Sequence, residues 1–423
     1  MILLAGFALR VAWLACVHPD PVVEGRFDDT AWYRAAAHYF ANGDGYVNPF
    51  VGTPTAAWPP GYPVFLGTVF RVAGEGVYQT GAANIALALA TVVVVYAIAL
   101  QLTDRRTAII AAAAMAVWPG QIYFTSLALS EPLFTFLFAL AGLLLISASR
   151  AGAARGALVV AFGAVVALAA LTRGQALVLL PLAIVVWAVA GMYWKRALAW
   201  GMLAAFVAGV CIAPWVARNE RELGSPVIIA TNGGPNLWIG HHEGATGRMQ
   251  LNGETLPLPE RGDMTQPEYE VAADKLALRQ GLTYMLTHPL DELRLSVLKL
   301  RAIYESDATA LDWNAQFRDG YYASDDVELA LRRGANGFWL AALALAGVGL
   351  LALRSRLRND EVLFLPLLVL AWTATHLLFF GDARFHYPIA FAVAILGAKG
   401  VVAALEALPV LAPGASKKRY AAA

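Results

Sequence analysis

Long apolar runs separated by short polar punctuation dominate the chain. Runs near the roughly 20 apolar residues that a membrane-crossing helix needs fall at 2–17, 78–102, 107–125, 131–149, 157–172, 175–193, 197–216, 336–353, 361–380 and 385–406. The pattern predicts an all-α integral membrane protein with about ten transmembrane helices. The first run is short, carries Arg10 and lacks the basic start of a secretion signal, so it reads as a span rather than a leader. Two long segments, 18–77 and 217–335, interrupt the series. The chain therefore divides into an N-terminal transmembrane module (1–216), an intervening region (217–335), and a C-terminal module with its tail (336–423).

Neither long segment reads as a linker. Residues 28–41 (DDTAWYRAAAHYFA) place Trp32, Ala35, Ala36, Tyr39 and Phe40 on one helical face, which predicts an amphipathic helix lying in the membrane interface. Residues 58–72 are apolar but too short to span comfortably, and predict an interfacial or re-entrant helix starting after Pro59-Pro60. The second segment opens on a Gly/Asn-rich turn region at 231–247. A long helical stretch near 268–304 follows, with Leu282, Met285, Leu286, Leu290, Leu293 and Leu300 as an interface-hugging face.

Basic residues orient the spans. Arg105, Arg106, Arg150, Arg155, Lys195, Arg196, Arg354, Arg356, Arg358 and the tail Lys417, Lys418 and Arg419 alternate onto one side, whereas short loops on the other carry only Arg173 and Arg384. Positive charge marks the cytoplasmic side, so both termini are expected there, with 18–77 and 217–335 on the outer face. Composition agrees with lipid as the solvent: 59% of residues are hydrophobic and only 14% charged, against about 25% charged in soluble domains. The net charge of +1 gives no basic surface for nucleic acid. Two cysteines, Cys16 and Cys211, make no disulfide framework. The Ala/Gly-rich, Lys-poor make-up hints at a GC-rich bacterial genome.

Ionisable residues at the outer ends of spans are the candidate chemistry, because such residues cost roughly 2.5–3.5 kcal/mol at mid-bilayer and are functional hypotheses by default. They are Asp28, Asp29, Glu131, Arg173, Arg218 (beside Asn219), Asp382, Arg384 and His386. Acids suit proton transfer, and arginines suit an anionic group such as phosphate. Each has a structural alternative. Asp28 or Asp29 can cap a helix, Ser130-Glu131-Pro132 is a good helix start, and Arg173 or Arg384 can anchor at the interface. Trp58, Tyr62, Trp238 and Trp313 suit sugar stacking or an aromatic belt equally, and Asn232 offers an amide in the turn region. His241-His242-Glu243 looks metal-like, yet adjacent residues rarely ligate one ion well, and a solvated loop is expected. No Walker A motif, zinc spacing or nucleophile elbow occurs.

Seven segments, in order, resemble one family: FDDTAWYRAAAHYFANGDGY (27–46), PTAAWPPGYPVFLGTVFRVAG (54–74), SLALSEPLFTFLFAL (126–140), LAALTRGQALVLLP (168–181), PWVARNERELGSPVIIATNGGPNLWIGHHEGATGR (214–248), THPLDELRLSVLKL (287–300) and ARFHYPIAF (383–391). Together they resemble the bacterial membrane glycosyltransferases of the GT-C superfamily, glycosyltransferase family 39-like, the group related to protein O-mannosyltransferases and lipid A aminoarabinose transferases.

The resemblance implies transfer of a sugar from a polyprenyl-phosphate-linked donor to an acceptor hydroxyl of unknown identity, with inversion, at the outer face of the bacterial cytoplasmic membrane. It places Asp28 as general base, with Asp29 and Glu131 as further acids, and Arg384 on the donor phosphate. Glu131 stands where relatives often carry Asp. Arg173, Arg218, Asn232, His386, Tyr62 and Trp58 are the further substrate-binding candidates. No cofactor follows with certainty; a divalent metal at the paired acids is compatible with the family. The partners expected are the lipid-linked donor, the acceptor and the bilayer, not nucleic acid. An O-antigen ligase or polymerase would favour arginine-rich outer loops. It would do so over an acidic pair after the first span, which is present here. A secondary transporter would place charges at mid-membrane with repeat symmetry, whereas here they cluster at the span ends and the halves show no repeat.

Overall fold

The computed structural model describes residues 1–17, 28–250, 255–315 and 321–408; the expected basic tail 417–419 lies outside them. The N-terminal apolar run is α1 (Ile2–Val17). The first outer segment forms α2 (Asp29–Asn42) and α3 (Gly61–Ala73). The bundle continues through α4 (Val77–Leu102), α5 (Arg105–Val117), the short α6 (Pro119–Tyr123), α7 (Glu131–Arg150), α8 (Arg155–Thr172), α9 (Leu179–Val189) and α10 (Trp194–Leu223). The second outer segment holds α11 (Gly233–Gly240), α12 (Gln266–Thr287), α13 (Pro289–Tyr304) and α14 (Thr309–Ala315). α15 (Asp325–Leu353), α16 (Phe364–Leu377) and α17 (Ala390–Ala407) complete the chain.

Each of the ten apolar runs lies mainly in helix, although α10 continues past 216 to Leu223 and α15 starts at Asp325, ahead of 336. Among the described residues, six helices are long and apolar enough to cross a membrane: α4, α7, α8, α10, α15 and Ala383–Ala407. A seventh is the pair Arg105–Val117 and Pro119–Ser126, bent by 50°. Ile2–Val17, Gly174–Val189 and Glu361–Leu377 are shorter apolar helices.

The bend explains Arg10. The backbone turns at Trp118-Pro119, where proline cannot continue the hydrogen-bond ladder, and the last carbonyls of α5 lose their helical partners. The buried Arg10 donates to Ala116 O at 2.7 Å and Met115 O at 3.3 Å. The residue that interrupts the first apolar run is thus the cap of a broken neighbour. α15 and α17 pack with their backbones close together: a Cβ on Gly349 would collide with Leu396 O, and one on Gly400 with Leu345 O. Small residues at crossing points are how membrane helices gain contact area.

The helices of the two long intervening segments are stapled to one another and to the bundle. α2 packs on α3 at Gly67, where a Cβ would fall 2.7 Å from Ala37 O and 2.8 Å from Phe40 Cδ1. The buried face of α2 is Thr30, Trp32, Tyr33, Ala36 and Ala37, rotated from the expected stripe, because α3 rather than lipid covers it; Ala35, Tyr39 and Phe40 are half-buried. Glu270 of α12 accepts from Thr55 Oγ1 (2.6 Å), Ala56 N (2.9 Å) and Thr231 Oγ1 (2.6 Å), tying the second outer segment to the first. The stretch expected as one helix near 268–304 breaks at His288-Pro289 into α12 and α13. Its leucines Leu282, Leu286, Leu290, Leu293 and Leu300 do form an exposed apolar stripe, with Met285 half-buried.

Candidate active site at one end of the helix bundle

Asp28 stands before α2 with an extended backbone, and its Oδ1 accepts from Ala31 N at 2.8 Å and Thr30 Oγ1 at 2.7 Å. It is an N-cap, as one of its two sequence readings had it, and the cap sets its carboxylate at the positive end of the helix. Asp29, one residue on, reaches Arg384 Nη1 at 2.8 Å. Arg384 is delivered by a 3₁₀ turn, Ala383–Ile389, capped by Asp382, whose carboxylate accepts from Arg384 N at 2.8 Å. The Arg384 guanidinium is buried and lies 5.2 Å from the Trp313 ring and 5.6 Å from Phe385.

A second pair lies alongside. Glu131 opens α7 and is fully buried; it accepts from Arg173 Nη2 at 2.5 Å. Arg173 leaves α8 in extended conformation and also donates from Nε to Ser130 Oγ at 2.9 Å. Tyr33 of α2 lies between the two pairs. Burial pushes its hydroxyl up to about 12, and the Asp29 charge adds to this while Arg173 opposes it. Its ring meets Tyr62 edge-on at 5.3 Å.

His376, near the end of α16, completes the group. Its Nδ1–H donates to Trp372 O at 2.9 Å, its ring lies 4.5 Å from Phe385, and the charges of Arg173 and Arg384 both reach it. Three buried polar atoms here have no hydrogen-bond partner among the described residues: Glu131 Oε2, His376 Nε2 and Arg384 Nε. Leaving a buried donor or acceptor unpaired costs about 1–3 kcal/mol, and native folds rarely retain several together without a function.

The remaining sequence candidates are dispersed. Trp58 stacks on Trp32 at 4.5 Å, and Tyr62 is fully buried beneath Tyr33, so both support α2 from below. Arg218 donates to Thr55 O (2.7 Å) and Tyr46 O (2.5 Å), fastening the first outer segment to α10. Asn232 is half-buried at the start of α11, where its carbonyl accepts from Asn236 N at 3.0 Å. His386 is bound by Asp307 Oδ1 at 2.9 Å and Ile303 O at 2.8 Å. Asp307 also accepts from Trp118 Nε1 at 2.8 Å, so this network braces the bend before α6.

Of the solvated loop expected at His241-His242-Glu243, only Glu243 is exposed; both histidines are buried. The His241 Nδ1 lies 2.9 Å from Glu292, and its Nε2 lies 2.9 Å from the Nζ of the fully buried Lys299 and 3.1 Å from Leu378 O. Lys299 also donates to Leu377 O at 3.1 Å. Burial pushes the Lys299 ammonium down to about 8. His242 stacks on Trp238 at 4.3 Å. This cluster sits under the 377–384 connection and braces the segment that carries Arg384.

A divalent metal at the paired acids does not fit the described residues. No three His, Cys, Asp or Glu side chains among them converge to hold an ion, and Asp29 and Glu131 are each turned onto an arginine.

Sequence reasoning did not single out Tyr33, Ser130 or His376. His376 had a signal, being an ionisable residue inside an apolar run. Tyr33 and Ser130 are brought together only by the fold, which sets the Tyr33 hydroxyl in hydrogen-bond contact with Ser130.

The bundle shares its fold with the membrane part of an archaeal oligosaccharyltransferase. The archaeal oligosaccharyltransferase AglB from Archaeoglobus fulgidus, in complex with an inhibitory peptide and a dolichol-phosphate, aligns with a TM-score of 0.56 over 96% of this chain and 50% of its own, at 17% identity. The Archaeoglobus fulgidus oligosaccharyltransferase in complex with Zn and sulfate aligns with a TM-score of 0.56 over 96% and 49%, at 15% identity. The chain thus spans about half the length of the oligosaccharyltransferase it matches. ArnT from Cupriavidus metallidurans bound to undecaprenyl phosphate aligns more loosely, with a TM-score of 0.46 over 94% and 77%, at 17% identity. No protein-family model and no curated protein matches the sequence.

Proposed function

We propose that the chain is a membrane glycosyltransferase that moves a sugar from a polyprenyl-phosphate carrier to an acceptor hydroxyl, with inversion, at the outer face of a bacterial cytoplasmic membrane. Ten spans, with both termini in the cytoplasm, follow from the alternation of basic loops. The observation that carries the reading is the pair of arginines, half-buried Arg173 and buried Arg384, each bound to a carboxylate at the same end of the bundle beside polar atoms that have no partner among the described residues.

The chemistry follows from charge. The donor is a phosphodiester with one negative charge. Asp28 takes the proton of the acceptor hydroxyl, the oxygen attacks the anomeric carbon, and the bond from that carbon to the phosphate oxygen breaks. The product phosphomonoester carries a second charge, so arginine contacts strengthen as the bond breaks, which is the condition for lowering the barrier. Phosphate is already a good leaving group, so no acid is needed to protonate it, unlike the alkoxide of a glycoside. Asp29 and Glu131 orient the two arginines. The carrier's chain remains in hydrocarbon while its phosphate reaches the arginines at the rim.

Purified protein in lipid, offered a panel of polyprenyl-phosphate sugars and a cell-envelope extract as acceptor, should release polyprenyl phosphate. Asp28→Asn should lower turnover by about 10²–10⁴, the usual contribution of a general base. No release from any donor would overturn the reading. Unchanged turnover in Asp28→Asn, with loss in Asp29→Asn, would move the base by one residue.

A further inference from the structure

Why a neutral imidazole lies between two arginines that otherwise suit an anion is the question His376 raises. Its Nδ1–H is committed to Trp372 O at 2.9 Å, the residue is 1% exposed, and Nε2 has no partner among the described residues. A protonated Nε2 would be a buried cationic donor without an acceptor among the described residues. The ring is therefore the neutral Nδ1–H tautomer, and Nε2 presents a lone pair. Its neighbours place it within the site: the ring is 4.5 Å from Phe385, which follows Arg384, and 4.5 Å from Trp372. Trp372 in turn contacts Phe134 at 5.3 Å, over which Arg173 lies.

A lone pair needs an O–H or N–H opposite it. A sugar phosphodiester has no proton on its phosphate at neutral pH, so the phosphate itself is the wrong partner for Nε2. The nearest protons in a donor held by Arg173 and Arg384 are those on the sugar ring attached to that phosphate. We propose that His376 is a specificity-determining residue whose Nε2 accepts a hydrogen bond from one hydroxyl, or amino group, of the transferred sugar. The proposal rests on the donor reading above. It deepens that reading by making one ring substituent of the sugar a requirement, and it separates the two anion-binding arginines from the one group that reads the sugar. A site built to bond a hydroxyl rejects an analogue lacking it more strongly than an apolar pocket does, because the buried acceptor is then left unpaired.

The test uses the full chain in lipid with decaprenyl-phosphate-linked glucose, galactose, mannose and arabinose, and mono-deoxy versions of whichever sugar is transferred best. His376→Phe removes the acceptor; His376→Gln places an amide oxygen near the position of Nε2. In His376→Phe, KM for the sugar donor should rise about tenfold, the size of one lost buried hydrogen bond. Affinity for sugar-free decaprenyl phosphate should change less than twofold, and His376→Gln should recover most of the loss. In the wild type one deoxy position should show the same loss, and in His376→Phe that position should cost nothing further. Equal rises in KM and in the dissociation constant of decaprenyl phosphate would mean a structural role and overturn the proposal. If the variants do not fold, the wild-type deoxy panel decides: no single deoxy position with a marked loss would overturn it. Absence of turnover by the wild type with every donor would instead refute the donor reading on which it rests.

Discussion

Glu131 and Arg173 illustrate how much a buried pair depends on both members. The carboxylate is fully buried and the arginine nearly so, at 2.5 Å. Removing one charge leaves the other uncompensated, which costs roughly 3–5 kcal/mol. Glu131→Gln alone should therefore lower the thermal unfolding midpoint in detergent markedly. Glu131→Gln with Arg173→Gln should recover more than half of that loss while turnover stays at least about 100-fold down, the scale of one lost transition-state contact. Recovery of both would mean that Arg173 is a strut. Lys299 gives a second prediction. Burial holds its folded pKa at about 8, below the ordinary ~10.4. Below pH 8 both the folded and unfolded chains hold the proton, and the fold bears the full desolvation cost. Between pH 8 and about 10.4 the folded chain releases the proton while the unfolded chain keeps it, so stability rises with pH through that window. A calorimetric or fluorescence melt of the wild type should shift upward by on the order of 2 kcal/mol there; Lys299→Met should be flat over the same range. At this scale the sequence singles out Asp28, Asp29, Glu131, Arg173 and Arg384 as ionisable groups at the ends of apolar runs, and the fold joins four of them into the pairs Asp29–Arg384 and Glu131–Arg173. The sequence was unreadable at His241 and Lys299, whose burial is created by α13 and the 377–384 connection and leaves no local trace.

Helices came through well because a lipid solvent writes them as uninterrupted apolar runs. The breaks did not. Hydropathy counts 107–125 as one run, although Pro119 bends it by 50° and demands Arg10 from α1. It also counts 268–304 as one, although Pro289 begins a new helix. The face of α2 was misjudged for a related reason. Its partner is another helix rather than lipid, and the small residues that admit that partner carry no hydrophobic signal. Gly67 is the clearest of them, since a side chain there meets Ala37 O and the Phe40 ring. Gly67→Leu should push α3 away from α2 and tilt the first turn, which carries Asp28 and Asp29. The expected result is a loss of about 1–3 kcal/mol of stability, typical of overpacking, together with a fall in turnover larger than that loss explains at a temperature where the variant is fully folded. Turnover equal to the wild type per folded molecule would show that α2 does not position the acids.

The whole molecule separates two kinds of charge. α7 begins at Glu131, bound to Arg173, and ends at Arg150, which donates to Glu361 at 3.1 Å. Twenty residues of helix span about 30 Å, the thickness of a bilayer's hydrocarbon core. Around Arg150 gather Arg356, which donates to Leu102 O at 2.8 Å, and Lys399, 3.4 Å from Asp104. The acid–arginine pairs and the outer segments lie at the opposite end, so the charge asymmetry used to orient the loops becomes an asymmetry of the folded bundle. Accessibility can test it directly. In a chain carrying Cys16→Ser and Cys211→Ser, the exposed positions Asp44 and Arg358 are replaced singly by cysteine. A membrane-impermeant maleimide added to intact spheroplasts should label Asp44→Cys and spare Arg358→Cys, and inverted vesicles should give the reverse. Labelling of both from one side would break the alternation of spans. It would also remove the argument that the arginines meet a lipid carrier at the outer rim, because a site facing the cytoplasm would draw on a different pool of activated sugars.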